Sequence, residues 1–184
     1  MIGIINDIKR ASSQNFKKDG DLVVLLGINR EELGGSEYLK EIHKTVKGDT
    51  PLLDLKLERS VQGAALEAIE KGMVNSAHDC SEGGLAVALA ECCISDKELM
   101  VGAVIDGLNF NIRKDAVLFG ESQSRIILTC DKKNIHTLSA IAKKNKAPLR
   151  VIGETGGDSL KIFNGSEELI NLPLEDLRES WMLK

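Results

Sequence analysis

The sequence predicts an α+β fold with three layers, α/β/α, in which helices cover both faces of a mixed β-sheet. Short apolar runs typical of strands alternate with amphipathic helical patterns along most of the chain, which favours helices packed on a sheet. Near the C-terminus, three strand-like runs separated by glycine turns follow one another with no helical pattern between them. Such a hairpin-like run does not fit a purely parallel wound sheet, so we predict a mixed one.

Each predicted strand is a short run rich in Val, Leu or Ile, bounded by polar residues or glycine. These runs occur at residues 1–8, 21–27, 99–105, 126–130, 149–152, 159–163 and 168–172. Each predicted helix has apolar residues three or four positions apart, which places them on one face. These patterns cover residues 38–46, 51–71, 85–93, 112–118, 131–144 and 173–181. Gly72 is the predicted C-cap of the second helix, Asp131 the predicted cap of the fifth, and Pro173 the first residue of the sixth.

The length and pattern of the chain bear on its domain organisation. At 184 residues the chain is long enough to bury a substantial core. No internal repeat or low-complexity linker divides it, and we predict that residues 1–184 form a single domain. The first residues are already apolar, with no polar lead-in, so we expect this domain to be cut from a longer polypeptide.

Charge and composition exclude several classes of function. The formal net charge is −4, and the densest basic cluster, 143–146, is too short to neutralise many phosphates. Aromatic residues make up 3%, too few for base stacking, so we expect no nucleic-acid partner. No apolar run approaches the ~18–20 residues that span a bilayer, so we expect no membrane partner. The four cysteines lack zinc-finger spacing, which favours a reducing, cytoplasmic location.

Residues 75–93 are the stretch around which the chain is organised. Ser81 precedes two glycines and a helical run, so it is the predicted N-cap of that helix. Gly83 and Gly84 each reduce helix stability by about 0.5–1 kcal/mol relative to alanine, which indicates that something approaches the first turn closely. Two interpretations are open: tight packing of the helix against a neighbouring strand, or a phosphate bound by free backbone N–H groups at the helix start.

Three other features also allow both a structural and a functional interpretation. His78 and Asp79 are adjacent on a predicted loop, where they form either a structural pair or a catalytic one. Residues 34–36, Gly-Gly-Ser, precede another helical pattern and form either a turn with an N-cap or a second anion-accepting helix start. Residues 119–125 form a polar turn between two apolar runs, which is either solvated or directed towards a ligand.

At His78–Leu85 the sequence resembles the C-terminal domain of the aminoimidazole ribonucleotide synthase superfamily, which carries an H-D-x-S-x-G-G-L stretch. Within the superfamily it is most similar to phosphoribosylformylglycinamidine synthase, at the end of that enzyme's second half. The other motifs that carry the resemblance lie in family order at 16–22, 34–37, 119–125 and 172–181. The likeness extends over essentially the whole chain, and Gly-Gly-Ser-Glu and Trp181 favour this family over other members of the superfamily.

This resemblance implies a role in an ATP-dependent amidoligase of de novo purine biosynthesis. The family converts formylglycinamide ribonucleotide, ATP and ammonia into formylglycinamidine ribonucleotide, ADP and phosphate, through phosphorylation of the amide oxygen. ATP and magnesium are the implied cofactors of the full-length enzyme, and none is implied for this domain alone. The implied partners are the remaining domains of the enzyme, a glutaminase subunit or domain that supplies ammonia, and a small nucleotide substrate. The family's catalytic His and magnesium ligands lie outside the region present here, so no catalytic or metal-binding residue is expected.

Nine residues are expected to contact a phosphate or nucleotide. They form three groups along the chain: Gly34, Gly35 and Ser36; Ser81, Gly83 and Gly84; Glu121, Ser122 and Gln123. In the family, the Glu-Ser-Gln that contacts substrate belongs to the first half of the enzyme. Its counterpart here is therefore either vestigial or part of an auxiliary nucleotide site.

Two alternatives to this function stay open at the level of sequence. One is another enzyme of the superfamily, a selenophosphate or aminoimidazole ribonucleotide synthase, and the other is a non-catalytic nucleotide-binding module. For the leading interpretation we predict that the chain alone folds but does not catalyse, and that at least one of Cys92 and Cys93 is buried and unreactive. We also predict that any bound anion lies at Gly83 and Gly84, with residues 34–36 as the competing location.

Overall fold

A computed structural model of the chain describes residue 5, residues 7–96 and residues 98–183. Within these ranges the α-helices are α1 (Glu37–His43), α2 (Leu55–Glu70), α3 (Gly84–Ile94), α4 (Lys114–Phe119), α5 (Ile135–Asn145) and α6 (Leu174–Met182). The strands are β1 (Leu22–Leu26), β2 (Ser76–Asp79), β3 (Ala103–Leu108), β4 (Ile126–Cys130), β5 (Leu149–Thr155), β6 (Ser159–Asn164) and β7 (Glu167–Pro173). Two 3-10 helices, Ile8–Arg10 and Lys132–Asn134, are also present.

All the strands described belong to one sheet, in the order β2-β4-β1-β5-β3-β6-β7. Strands β3 and β6 are parallel, and every other neighbouring pair is antiparallel. Of the three late strands only β6 and β7 form a hairpin, because β3 lies between β5 and β6. The predicted mixed sheet is confirmed.

Helices cover both faces of this sheet, and β1 shows how the sequence specifies it. Successive side chains of a strand point to opposite faces. Val23 and Leu25 face one core, with residues of α3, α4 and α6, whereas Val24 and Leu26 face a second core, with residues of α2 and α5. Burying each such side chain contributes roughly 1.5–3 kcal/mol. An uninterrupted apolar run is therefore the signature of a strand covered on both faces, and the predicted three-layer α/β/α arrangement is confirmed.

The ends of α2 follow local rules. The carboxylate of Asp54 accepts hydrogen bonds from the backbone N–H groups of Lys56 and Leu57 at 2.9 and 3.1 Å, so it is the N-cap. At the other end the C-cap is Lys71, one residue before the predicted Gly72. Gly72 has a φ of +64° and donates its N–H to the carbonyl of Ile69, so it is the left-handed residue that follows the cap.

Two predicted strands differ from the structure at their starts. The predicted first strand, 1–8, falls largely on residues 1–4 and 6, which lie outside the described residues, and Ile8 begins a 3-10 helix. The predicted strand 99–105 begins only at Ala103. Its earlier residues are held by the end of α3, because the N–H of Val101 donates to the carbonyl of Cys93 at 3.2 Å.

Two predictions of local structure differ from the structure. Asp131 is the N-cap residue of the 3-10 helix Lys132–Asn134, which runs directly into α5, but its side chain makes no cap hydrogen bond and pairs with Lys18 instead. His78 and Asp79 do not lie on a loop but in the edge strand β2, which pairs with β4. The four residues Ser-Ala-His-Asp contain no apolar run that would predict a strand, and β2 pairs with another strand on one side only.

Candidate functional site

The three groups of predicted site residues come together at one place in the fold. Residues 34–36 precede α1, residues 81–84 precede α3, and residues 121–123 lie in the loop between α4 and β4. The Glu121 side chain joins all three groups, because one of its carboxylate oxygens contacts the starts of both helices. The site is therefore built from two helix N-termini and the loop 120–125.

The start of α1 is the turn with an N-cap that the sequence allows. Ser36 is buried, and its hydroxyl accepts the N–H of Leu39 at 3.3 Å and donates to the carbonyl of Leu33 at 2.6 Å. Gly35 has a φ of +71°, which favours glycine, and a Cβ on Gly34 would lie 1.9 Å from the carbonyl oxygen of Asp49. Both glycines are thus explained by local backbone geometry.

The predicted cap of α3 is wrong. The N-cap is Gly83 in a left-handed conformation, and it makes no side-chain cap hydrogen bond. Ser81 instead donates its hydroxyl to Asp79 Oδ2 at 2.6 Å, while its backbone carbonyl accepts the N–H of Gly84 at 3.1 Å. The helix starts later than Ser81 because two positive φ values, +78° at Gly83 and +68° at Gly84, turn the chain before it.

The pair of glycines before α3 also permits a close approach between helices. A Cβ on Gly84 would lie 2.5 Å from the carbonyl oxygen of Gly120 and 2.8 Å from the carbonyl carbon of Phe119. Those are backbone atoms at the end of α4, which cannot move aside as a flexible side chain can. Tight packing, one of the two interpretations open from the sequence, is therefore present, although the partner is a helix end rather than a strand.

Glu121 is the anion that the two helix starts hold. Its Oε1 accepts the N–H of Gly83 and the N–H of Glu37, each at 2.9 Å. Backbone N–H groups at a helix start have no partner within the helix, and the macrodipole adds a partial positive charge there. A carboxylate that accepts from two such groups meets the same preference that a phosphate would.

Two buried side chains, those of Ser122 and Arg125, hold the loop that carries Glu121 in place. Ser122 is 1% exposed, and its hydroxyl accepts the backbone N–H of Arg30 at 3.1 Å. The Arg125 guanidinium, 2% exposed, donates to the carbonyls of Ser122 and Gly120 at 2.8 and 2.6 Å and to the side chain of Asn29. Its burial lowers the pKa of Arg125 from the usual value, with nearby Cys80, Glu32 and Glu121 acting in the opposite direction.

A cavity of about 440 Å³ lies beside this loop. Four carboxylate side chains line it, those of Glu58, Asp79, Glu82 and Glu121. The one cationic side chain in its wall, Arg125, already donates to three neutral oxygens. The charge of the cavity therefore disfavours a free phosphate and favours a neutral or cationic group.

The remaining polar residues of the central stretch pair within the fold. His78 Nε2 lies 2.7 Å from Glu91 Oε2 of α3, whereas its Nδ1 lies 3.8 Å from Asp79 Oδ1. The main partner of His78 is therefore Glu91. Gln123 is exposed, and its side-chain amide donates to the Glu121 carbonyl at 3.3 Å.

The two adjacent cysteines of α3 are buried, as predicted. Burial raises the pKa of the Cys93 thiol to about 12 and that of Cys92 well above its usual value. The thiolate is the nucleophile in thiol chemistry, so both thiols are kept in the unreactive form. Their chemical inertness itself stays a prediction.

Sequence reasoning did not single out Glu58, Glu91 or Arg125 as individual members of this region. Arg125 stands at the end of the quoted motif, so the motif itself was an available signal. Glu58 lies on a helix with an ordinary amphipathic pattern and carries no signal of its own. Glu91 is the one charged residue of the otherwise apolar helix α3, and that isolation was an available signal. Among the described residues, no group of three or more His, Cys, Asp or Glu side chains is arranged to hold a metal ion. No described helix is long and apolar enough to cross a membrane.

Comparison with known proteins gives a match over most of the chain. Residues 18–163 match the family described as AIR synthase related protein, C-terminal domain. The phosphoribosylformylglycinamidine synthase subunit PurL of Caldanaerobacter subterraneus subsp. tengcongensis is 40% identical over 181 residues, which are 98% of this chain and 24% of that protein. The same subunit from Symbiobacterium thermophilum is 41% identical over 189 residues, covering 96% and 24%. The chain thus spans about a quarter of the length of these curated relatives.

Solved structures show the same architecture. Thermotoga maritima PurL complexed with FGAR superposes with a TM-score of 0.80 at 20% identity, covering 93% of this chain and 30% of that chain. A HypE–HypF complex superposes with a TM-score of 0.61 at 17% identity, covering 88% and 56%. At these identities the likeness concerns the fold, and it confirms the predicted α+β class.

Proposed function

Since the chain belongs to the family of AIR synthase related proteins, C-terminal domain, we propose that it is the C-terminal domain of the second half of a phosphoribosylformylglycinamidine synthase. The observation that carries this proposal is the 40% identity with a PurL subunit over 98% of the chain. The complete enzyme would convert formylglycinamide ribonucleotide, ATP and ammonia into formylglycinamidine ribonucleotide, ADP and phosphate. The amide oxygen leaves as phosphate, and ammonia forms the new C–N bond.

The domain would contribute structure and ligand contacts rather than the reacting groups. Within the described residues no side-chain cluster suits a metal ion, and the family's catalytic motifs have no match in this sequence. We therefore propose that ATP and magnesium bind mainly to other domains of the same enzyme, and that a glutaminase partner supplies the ammonia. We further propose a cytoplasmic location, which suits free thiols at Cys92 and Cys93.

The role of the nine predicted contact residues remains a proposal. Their three groups meet around the Glu121 carboxylate, which supports a shared role. The acidic wall of the adjacent cavity would admit a nucleotide phosphate only together with a compensating cation. An auxiliary nucleotide would therefore bind in the cavity as its metal complex, with its phosphates outside the two helix starts that Glu121 fills.

The two alternative functions have less support. Selenophosphate and aminoimidazole ribonucleotide synthases are members of the same superfamily, but the two relatives reported above, 40% and 41% identical, are both PurL subunits. A stand-alone nucleotide-binding module is favoured by no observation in the site, since Glu121 already fills the two helix starts.

A domain exchange tests the proposed function. The segment of the Caldanaerobacter subunit that matches this chain would be replaced by the 184-residue chain. Formation of formylglycinamidine ribonucleotide would then be measured with ATP and ammonia. We expect product from the hybrid, none from the 184-residue chain alone, and none from the subunit with the segment deleted.

Two results would contradict the proposal. A hybrid that folds and assembles but gives no product would show that this domain does not serve the reaction. Product from the isolated chain would show that catalytic groups lie within it.

A further inference from the structure

The two glycine-rich helix starts already contain an anion that belongs to the chain. Glu121 Oε1 accepts from the first available N–H group at each start, those of Glu37 and Gly83, at 2.9 Å in both cases. These are the donors that a bound phosphate would need. Gly83 and Gly84 are buried, so the donors at this helix start are directed at protein rather than at water.

The carboxylate is held in place rather than free to leave. Ser122 and Arg125 anchor the loop on which it stands, through the bonds to Arg30, Gly120 and Ser122 described above. A group that is tethered at its binding place competes against a free ligand with a high effective concentration. A phosphate would have to displace this carboxylate and would then meet the other carboxylates of the cavity wall.

The same contact fastens α1. This helix has only seven residues and none of them is buried, so its own hydrogen bonds cannot keep it folded in water. Tyr38 of α1 also stacks on Phe119 of α4, with ring centroids 5.0 Å apart and an interplanar angle of 2°. Without the Glu121 contact, α1 would keep that stack and the buried Ser36 cap but lose its hydrogen bond to the loop 120–125.

We propose that Glu121 is an internal anion that closes the two helix starts to phosphate and fastens α1 to α3. It is a positioning residue of the fold. This inference rests on the contacts of this chain alone and does not depend on the reaction of the complete enzyme.

The first test asks whether the starts are closed. Inorganic phosphate would be titrated into the 184-residue chain while the backbone amide resonances of Gly83 and Glu37 are followed. We expect neither resonance to show a saturable shift in the unchanged chain. A saturable shift of both would overturn the proposal, because the donors would then be open.

The second test asks whether Glu121 fastens α1. In Glu121→Ala, amide hydrogen exchange in α1 should become faster than in the unchanged chain, while exchange in α3 changes little. Formate should slow α1 exchange again and raise the thermal midpoint of this variant by about 2–4 °C, because it supplies a free carboxylate for the vacated place. Glu82→Ala is the matched control, since Glu82 is exposed beside the same helix start and should give neither effect.

Each outcome of the second test is decisive. Unchanged exchange in α1, or an equal formate effect in Glu82→Ala, would overturn the proposal. Should Glu121→Ala fail to fold, Glu121→Gln decides, because glutamine keeps the acceptor oxygen without the charge. The amide resonances of Gly83 and Glu37 must then both shift relative to the unchanged chain, and two unmoved resonances would refute the contact.

Discussion

Replacing Gly84 by alanine tests whether α3 and α4 approach as closely as the structure indicates. Gly84 has a φ of +68°, and an added Cβ would lie 2.5 Å from the backbone oxygen of Gly120. Real Cβ atoms do not come so close to backbone, so α3 or the end of α4 must shift. Gly35 is a matched control, because its φ is +71° and a Cβ there would meet no atom within 4 Å.

The expected loss of stability has two parts. A non-glycine residue in the left-handed region costs about 1–2 kcal/mol, and this part applies to both Gly84→Ala and Gly35→Ala. Forcing extra atoms into a packed region costs roughly 1–3 kcal/mol more, and this part applies to Gly84→Ala alone. We therefore expect Gly84→Ala to lose about 2–5 kcal/mol of the free energy of unfolding and Gly35→Ala about 1–2 kcal/mol.

Urea unfolding of the three proteins, followed by circular dichroism, measures this difference. The dependence of the free energy of unfolding on urea should keep the same slope, so that the midpoints can be compared directly. Gly157→Ala is a second control, with a φ of +78° and open space around the added atom. If Gly84→Ala loses no more stability than the two controls, the close approach between α3 and α4 is wrong.

Three further predictions concern other contacts of the fold. Arg125→Met should lower the free energy of unfolding by about 2–5 kcal/mol, because the buried carbonyl oxygens of Gly120 and Ser122 lose their donor. A loss below about 1 kcal/mol in urea unfolding would contradict this. Hydrogen bonds from Lys71, Asn145 and Lys144 lower the pKa of Glu67 from 4.5 to about 2, below its value in the unfolded chain. The ionised Glu67 therefore contributes its full stabilisation above the unfolded-state pKa and loses it as the pH falls through the folded-state pKa. The difference in urea midpoint between the unchanged chain and Glu67→Gln should accordingly shrink from pH 4.5 towards pH 2 and stay constant above pH 4.5. A thiol reagent near neutral pH should label Cys92 and Cys93 only after unfolding, and rapid labelling of both in the native chain would show that α3 is misplaced.

The sequence was sufficient for the elements whose pattern depends on burial. The run at residues 22–26 is apolar throughout because both faces of β1 are covered, and this pattern predicts a buried strand in a layered fold. Strand order could not be predicted in the same way. It depends on which of several similar apolar runs pair across long separations in the chain, and their composition does not distinguish one partner from another.

The candidate site shows where local reasoning fails. His78 and Asp79 are neighbours in sequence, but successive residues of a strand point to opposite faces, so His78 meets Glu91 of α3 instead. Both glycine pairs lie at the start of a helix, as the sequence predicts. Their partner, Glu121, is separated from Gly83 and Glu37 by 38 and 84 residues, and no pattern in the sequence encodes a contact of that range.

The strand order also sets the course of folding during synthesis. Strand β1 pairs with β4 and β5, β2 pairs with β4, and β3 pairs with β5 and β6. None of the first three strands pairs with another of the three, so no ladder of the sheet can form until β4 has left the ribosome. Pairings between distant segments are slow because the loops between them must close first. The apolar strand β1 therefore stays unpaired until β4 is made, and it is during this interval that the chain most needs protection from aggregation.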